Sequence, residues 1–136
     1  MDKLTSKDLA AYRLNSARER LAVAETLYGM GYYLDAVSKA YYAVFQAARA
    51  ALATLEMDSK KHSGVIGLFN LHFIKTGLLP RELRKIIVSA QDLRLASDYN
   101  DFYVVGQEDA GESIGNAKKF ISSVEVFLKS RGFIDR

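Results

Sequence analysis

Apolar residues recur every three or four positions along most of the chain, which is the spacing of one helix face. The first such stripe precedes two glycines, Gly29 and Gly31. It consists of Ala10, Leu14, Ala17, Leu21, Ala24 and Tyr28. Thr5 or Ser6 can cap this helix, and Asp8 lies where the positive end of the helix dipole favours a carboxylate. The pattern therefore predicts a long first helix that ends near Gly29.

A second helix is predicted from about residue 33 to about residue 57, and it has the broadest apolar face of the chain. Its apolar positions are Leu34, Val37, Tyr41, Val44, Phe45, Ala48, Leu52 and Leu55. Small residues on one flank let a neighbouring helix approach closely, and these are Ala40, Ala43, Ala47 and Ala51. We expect this helix to lie at the centre of the fold.

Three further helices are predicted in the second half of the chain. Ser59 or Ser63 can cap a short third helix that runs to about residue 75, and Gly77 and Pro80 suit the turn after it. The fourth helix has the apolar residues Leu83, Ile86, Ile87, Ala90 and Leu93. The last helix, at about residues 108–130, has Ile114, Ala117, Ile121, Val124 and Leu128. Between these two, the pattern breaks near residues 97–100, and the segment FYVV is extended or irregular.

These elements predict an all-α fold. No alternating apolar and polar run has a partner strand, and short connections favour antiparallel neighbours. We expect an up-and-down antiparallel bundle of four main helices plus one shorter element. A length of 136 residues suits one domain that spans residues 1–136.

Composition narrows the function classes. The chain has no cysteine, which excludes disulfides and thiolate nucleophiles and favours a cytoplasmic protein. The N-terminal segment MDKLTSKDLA is charged and no apolar run reaches about 18 residues, so we expect neither a signal peptide nor a membrane span. The net charge is +3, and most lysines and arginines are interleaved with aspartates and glutamates, so charge alone does not indicate nucleic-acid binding.

Metal and cofactor sites are not expected. The two histidines, His62 and His72, are ten residues apart and lack the spacing that places two metal ligands on one helix face. No glycine-rich loop has phosphate-binding spacing, because GVIGLF lies within a helical pattern. His72 is interpreted as a residue on the surface of the bundle.

His62 is the first candidate for chemistry. It follows Lys60 and Lys61 near a helix start, where backbone N–H groups and neighbouring cations attract anions. It could contact a phosphate. The alternative is a helix-terminal histidine that faces solvent or bonds to a carbonyl group.

Arg94, Asp98 and Tyr99 form the second candidate group. Residues four apart share a helix face, and Tyr99 is near the helix end. Arginine offers a planar fork of donors that matches phosphate oxygens, while the other two supply an acceptor and a hydroxyl. The three could hold a phosphodiester. The alternative is a salt bridge between Arg94 and Asp98, with Tyr99 packed in the core.

The aromatic residues of the second helix allow two interpretations. Tyr41, Tyr42 and Phe45 could stack on bases, or they could be core residues on the apolar face. Arg49 is the charged residue in the middle of this otherwise uncharged stretch. It could pair with an acid across the bundle or face a functional groove.

The sequence resembles the HEPN domain, a small helical nucleotide-binding module, in its short stand-alone prokaryotic form. Five segments carry the resemblance: AYYAVFQAARAAL, KKHSGVIGLF, KTGLLPREL, LRLASDYNDF and EDAGESIGNAKKFISSVEVFL. They cover nearly the whole chain, and their order and spacing are more specific than any one of them.

The resemblance implies an activity and a site. Many HEPN domains are metal-independent RNases, often toxins neutralised by a nucleotidyltransferase antitoxin encoded beside them, and two copies frame a shared cleft. Their signature is an arginine followed after four to six residues by a histidine. The arginine matches Arg94, whereas the histidine position falls on Tyr99. A phenol with a pKa near 10 does not exchange protons at neutral pH as an imidazole with a pKa near 6.5 does.

We therefore expect a homodimer that binds RNA or a nucleotide as the toxin-like half of a HEPN and nucleotidyltransferase pair. If the chain cuts RNA, Arg94 would steady the phosphate while Asp98 or His62 helped to activate the ribose 2′-hydroxyl without a metal. Arg49, Lys60 and Lys61 would help to bind the substrate. The alternative is a non-catalytic accessory or scaffold protein that binds the nucleotidyltransferase.

Overall fold

The first helix, α1 (Ser6–Gly29), begins at a capping box in the computed structural model, which describes residues 5–101 and 103–135. The Thr5 hydroxyl accepts a hydrogen bond from the Asp8 backbone N–H at 3.1 Å, and the Asp8 carboxylate accepts one from the Thr5 N–H at 3.3 Å. Thr5 rather than Ser6 is therefore the cap. The helix ends at Gly29 as predicted, and Gly31, with φ 84°, lets the chain turn back.

The second helix, α2 (Tyr33–Ala53), lies at the centre of the bundle and contacts every other helix. All eight of its alanines are buried, so the backbones of neighbouring helices approach it closely. The predicted central position is confirmed. Its predicted C-terminus near residue 57 is wrong, because the chain leaves the helix at residues 54–56 and Glu56 adopts a left-handed φ of 56°.

The third helix, α3 (His62–Phe69), continues as a π-helical turn at Asn70–Ile74. Lys61 occupies its cap position and makes no side-chain cap bond, so the predicted cap by Ser59 or Ser63 is wrong. Ser59 instead accepts a hydrogen bond from the Lys61 N–H at 3.3 Å. Its side chain fills the space beside Gly64, where any Cβ would collide with the Ser59 hydroxyl.

The last two helices, α4 (Glu82–Tyr99) and α5 (Gln107–Ser130), complete the bundle. α5 runs antiparallel to α1, as shown by salt bridges from Arg18 to Glu125 at 2.9 Å and from Lys118 to Glu25 at 3.4 Å. The described residues contain no strand, which confirms the all-α bundle. Phe102, the first residue of FYVV, lies outside the described residues, and residues 103–106 have no regular secondary structure.

Packing of large side chains closes the core. Phe69 contacts the rings of Phe73 and Phe120 at centroid distances of 5.6 and 5.2 Å, and all three side chains are fully buried. Within the described ranges, no helix combines the length and the apolar character needed to cross a membrane.

Candidate functional site

Three aromatic rings of α2 face α3 and α4, and we refer to Tyr41, Tyr42 and Phe45 as the aromatic platform. The imidazole of His62 stacks on Phe45 with a centroid distance of 4.2 Å and an interplanar angle of 28°. Its Nδ1 lies 2.7 Å from the Tyr41 hydroxyl, which is hydrogen-bonding distance. The first residue of α3 is therefore fixed against the middle of α2 by one ring contact and one polar contact.

The platform belongs to the core and to the site at the same time. Tyr41 is only 1% exposed, so the core interpretation of its ring is correct. A buried phenol nevertheless needs a hydrogen-bond partner for its hydroxyl, and His62 provides it. Tyr42 is half-buried, and its ring meets the His62 ring edge-on at 6.0 Å.

Arg94 of α4 approaches the same platform. Its guanidinium carbon lies 5.3 Å from the centre of the Tyr41 ring and 5.5 Å from that of Tyr42, within cation–π range. The structure thus brings together Arg94 and His62, which contact the same two tyrosines although they are 32 positions apart in the chain.

The guanidinium of Arg94 has unused hydrogen-bonding capacity. Its Nε lies 3.2 Å from Asp98 Oδ2, so the expected salt bridge is present. The contact is too poorly aligned for a hydrogen bond, and this buried Nε has no hydrogen-bond partner among residues 5–101 and 103–135. Because this Nε is buried and lies beside Asp98, a phosphate would reach the guanidinium through its terminal nitrogens.

Tyr99 is not part of this cluster. Its side chain is 79% exposed, and it makes no ring contact or hydrogen bond with Arg94 or Asp98. Five residues of helix rotate the chain by about 500°, which places Tyr99 about 140° around α4 from Arg94. Both expectations for Tyr99 are therefore corrected, since it neither joins the trio nor packs in the core.

Burial sets the protonation states at the platform. The pKa of His62 is lowered, first by desolvation and then by the positive charges of Arg94 and Arg49, so the imidazole is neutral at pH 7. Desolvation raises the pKa of Tyr41 to about 12, so its hydroxyl stays protonated. A hydroxyl both donates and accepts, and Tyr41 can therefore support either neutral tautomer of His62.

A groove of about 600 Å³ opens beside the platform. Its lining residues are Phe45, Arg49, Asp58, Ser59, Lys60 and His62. Lys60 and Lys61 are both exposed, but only Lys60 lines the groove. The lysines predicted to bind substrate thus have different positions relative to the groove.

Arg49 is paired with an acid, but not across the bundle as predicted, because Asp58 lies in the connection that follows the same helix. It also lines the groove, and its Nε lies 3.2 Å from Asp58 Oδ1 while Nη2 lies 2.8 Å from Asp58 Oδ2. One edge of the guanidinium thus donates to both oxygens of one carboxylate, which is the strong bidentate geometry. Hydrogen bonding to Arg49 is the main reason why the pKa of Asp58 is lowered.

Sequence reasoning missed Asp58 and its second partner, Arg13. Arg13 of α1 is 7% exposed, and it donates to Asp58 Oδ2 and to the Arg49 carbonyl oxygen, both at 3.1 Å. These residues are 45 and 36 positions from Arg13, so no local pattern could have paired them. The one available signal was that Arg13, a charged residue, lies next to Leu14 of the apolar α1 stripe.

His72 lies in the π-helical turn, where it is half-buried, and it is not among the contacts of the platform. The described part of the chain contains no group of three or more histidine, cysteine, aspartate or glutamate side chains that could hold a metal ion.

Comparison with known proteins decides the family. The HEPN domain family model matches residues 10–127, which include the platform, His62 and Arg94. The chain belongs to the HEPN family. The match extends from α1 nearly to the end of α5.

Curated relatives of this HEPN protein come from archaea and bacteria. It is 36% identical over 113 residues to the protein named Putative toxin MJ0605 of Methanocaldococcus jannaschii, which covers 83% of this chain and 84% of that protein. Putative toxin MJ0142 of the same organism is 33% identical, and the match covers 89% of this chain and 82% of that protein. UPF0332 protein glr0978 of Gloeobacter violaceus is 34% identical, and the match covers 85% of this chain and 92% of that protein.

Proposed function

We propose that this HEPN protein binds RNA or a nucleotide through a phosphate group seated at Arg94 and His62. One observation carries the proposal. The Arg94 guanidinium, which is ion-paired with Asp98 through Nε, lies against two tyrosine rings, and His62 contacts the same rings. A phosphate oxygen would satisfy the arginine donors, and charge-assisted hydrogen bonds of this kind are strong.

The groove beside the platform supports a ligand longer than one phosphate. Arg49 and Lys60 line it next to His62, and Lys61 lies exposed at the start of α3. Successive phosphates of a nucleic-acid backbone match such a series of cations, because each neutralised phosphate releases counterions. Arg49 already donates to Asp58, so we assign it the role of a long-range positive charge rather than a main donor.

Metal-independent RNA cleavage is a second candidate activity of the same site. The neutral imidazole of His62 supports it. With Tyr41 accepting a hydrogen bond from Nδ1–H, the Nε2 lone pair would take the proton of a ribose 2′-hydroxyl. The resulting oxygen would attack the adjacent phosphorus and expel the 5′-oxygen, which takes a proton from water, to give a 2′,3′-cyclic phosphate. Arg94 would stabilise the charge that develops on the phosphate.

The biological role that we propose is the toxin-like half of a HEPN and nucleotidyltransferase pair. The relatives named as toxins support the first part of this proposal. The nucleotidyltransferase partner rests on the family resemblance. Co-purification of the chain with the product of an adjacent nucleotidyltransferase gene would test it, and a chain that never co-purifies with that product would contradict it.

We also propose a homodimer that forms through the outer face of α4. This face has residues at alternating spacings of four and three: Arg81, Lys85, Val88, Asp92, Leu95 and Tyr99. Its N-terminal half is basic, whereas its C-terminal half has an acid, an exposed leucine and an exposed tyrosine. Antiparallel packing of two copies would place the basic half of each against the acidic half of the other.

An assay with labelled single-stranded RNA in EDTA tests the binding proposal. We expect the wild-type chain to bind, and Arg94→Ala to weaken binding by roughly tenfold or more while the fold is retained. Arg18→Ala is the matched control, because it also breaks a partly exposed arginine–carboxylate pair but lies far from the platform. Appearance of a 2′,3′-cyclic phosphate product would support cleavage.

The same variants separate binding from a scaffold role. If Arg94→Ala lowers the free energy of unfolding and leaves RNA and nucleotide binding unchanged, the accessory or scaffold alternative is correct.

The dimer is tested separately by sedimentation. Asp92→Lys should dissociate it, and the double variant Lys85→Asp with Asp92→Lys should restore it. A monomeric wild type would contradict the dimer proposal alone.

A further inference from the structure

Arg13 is a charged residue inside the bundle, and no other charged side chain in the described part of the chain is as deeply buried. Taking a guanidinium out of water is unfavourable unless hydrogen bonds and an opposite charge compensate. Desolvation accordingly lowers the pKa of Arg13, and the main compensation comes from Asp58 and the Arg49 carbonyl oxygen near the C-terminal end of α2.

Asp58 in turn receives hydrogen bonds from two arginines on two helices. Arg13 of α1 donates to Oδ2 at 3.1 Å, and Arg49 of α2 donates to both carboxylate oxygens at 3.2 and 2.8 Å. We call these three residues the arginine clasp. A carboxylate that is 41% exposed in its side chain is thus fixed to the rigid α1–α2 hairpin at the point where the connection to α3 passes it.

The connection between α2 and α3 transmits this position to His62. Only three residues separate Asp58 from His62. Ser59 follows Asp58 directly, and its side chain lies against Gly64 in the first turn of α3, where a Cβ would be 2.8 Å from the Ser59 Cβ. A shift of Asp58 would therefore move the start of α3, and with it the imidazole that stacks on Phe45 and bonds to Tyr41.

We propose that Asp58 and Arg13 are positioning residues that hold His62 on the aromatic platform for contact with a phosphate. This inference rests on the proposed function for its biological meaning. The geometry itself does not depend on any ligand, because the clasp and the platform are joined by chain connectivity and by the Ser59 contact with Gly64. Neither Asp58 nor Arg13 needs to contact the phosphate.

The replacement Asp58→Asn gives opposite results for a positioning role and for a purely electrostatic one. The positive charges of Arg94 and Arg49 act on His62, Lys60 and Asp58 line the groove with it, and Lys61 precedes it in the chain. If His62 stayed in place, loss of the Asp58 negative charge would lower the pKa of His62 further, since the positive charges would be less compensated. If His62 instead left the platform for solvent, its pKa would rise toward the ordinary value of about 6.5.

We would follow the His62 ring signals by NMR as a function of pH in the free protein. We expect Asp58→Asn to raise the pKa of His62 and to broaden or move its ring signals. Glu125→Gln is the matched control, because Glu125 is also bound by two cations, Arg18 at 2.9 Å and Lys129 at 3.0 Å, away from the platform. That variant should leave the His62 titration unchanged. Arg13→Met should move the His62 signals in the same way as Asp58→Asn.

RNA affinity supplies the functional readout. Asp58→Asn should weaken binding by roughly tenfold, because small misplacements of a contacting group have effects of this size or larger. A lowered or unchanged pKa of His62 in Asp58→Asn overturns the positioning role, whatever RNA does. If the pKa rises but the wild-type chain binds no RNA or nucleotide, the clasp positions His62 and the proposed function fails instead.

Discussion

The two sides of α2 carry different residue types. Toward α1 and α5, α2 contributes buried alanines to the main apolar core, with Arg13 as the one buried charged side chain among the described residues. On the other side its tyrosines meet His62 and Arg94, and a buried arginine nitrogen is left without a hydrogen bond in the described residues. The first side consists mainly of apolar contacts, whereas the second brings an arginine and a histidine onto the same aromatic rings. Stability and ligand binding should therefore respond to different substitutions.

The core side should show the largest effect on stability. Phe69→Ala removes a fully buried ring that contacts Phe73 and Phe120, and such truncations lower the free energy of unfolding by about 3–5 kcal/mol. Urea denaturation followed by circular dichroism would measure the loss. Val126→Ala, at a position that is 67% exposed, should change it by less than about 0.5 kcal/mol. Equal losses of unfolding free energy in the two variants would contradict the burial of Phe69 in the core.

Two glycines of α3 give the next largest contrast. Gly64→Ala should destabilise the protein by about 1–3 kcal/mol, because its Cβ would collide with Ser59. Gly67→Ala has open space around its Cβ and should stabilise the same helix by up to about 1 kcal/mol. The pair is measured by thermal unfolding. Similar effects of the two replacements would contradict the close contact between Ser59 and α3.

The hydrogen bond at the platform should have a smaller effect. Tyr41→Phe removes the hydroxyl that contacts His62 Nδ1, and we expect a loss of about 1 kcal/mol in the free energy of unfolding. Tyr42→Phe is the control, since no hydrogen bond of its hydroxyl to a described residue would be lost. If the two variants are equally stable, the Tyr41 hydroxyl contributes nothing to holding His62.

The smallest expected effect is a pH dependence from His62. The pKa of His62 is lowered in the folded state. As the pH falls below about 6.5, His62 is therefore protonated more readily in the unfolded chain than in the folded one, and the wild-type protein loses stability. The loss stops once the pH passes the lowered folded pKa. His62→Gln lacks this contribution, and the difference between the two proteins should shrink as the pH falls. Denaturation from about pH 7.5 to about pH 5 measures it. A difference that stays constant would contradict the lowered pKa.

Local patterns were sufficient for the core because helix faces repeat over short distances in sequence. The stripe of α1 was predicted, with Thr5 as one of two possible caps, and so was the central place of α2. The C-terminus of α2 was not, because Leu55 continues the apolar spacing although the chain has already turned at residues 54–56. Periodicity alone cannot separate a last helical turn from a loop with the same residues.

The site could be predicted only in part. Arg94, Asp98 and His62 were named as candidates, and the salt bridge of the first two follows from their spacing on α4. Tyr99 was grouped with them because it is adjacent in sequence, yet the helix rotates it away from Arg94. The phenol that donates to or accepts from His62 is Tyr41, and tertiary packing brings its hydroxyl to His62 of α3 and its ring to Arg94 of α4.

A double-mutant cycle for RNA binding tests most directly whether Arg94 and His62 form one phosphate site. Arg94→Ala, His62→Gln and the double variant would be compared with the wild-type chain by fluorescence anisotropy in EDTA. Two residues that hold the same phosphate should be coupled by more than about 0.5 kcal/mol, so the double variant loses less affinity than the sum of the single losses. Losses that add within about 0.3 kcal/mol, or no loss in either single variant, would contradict a shared site.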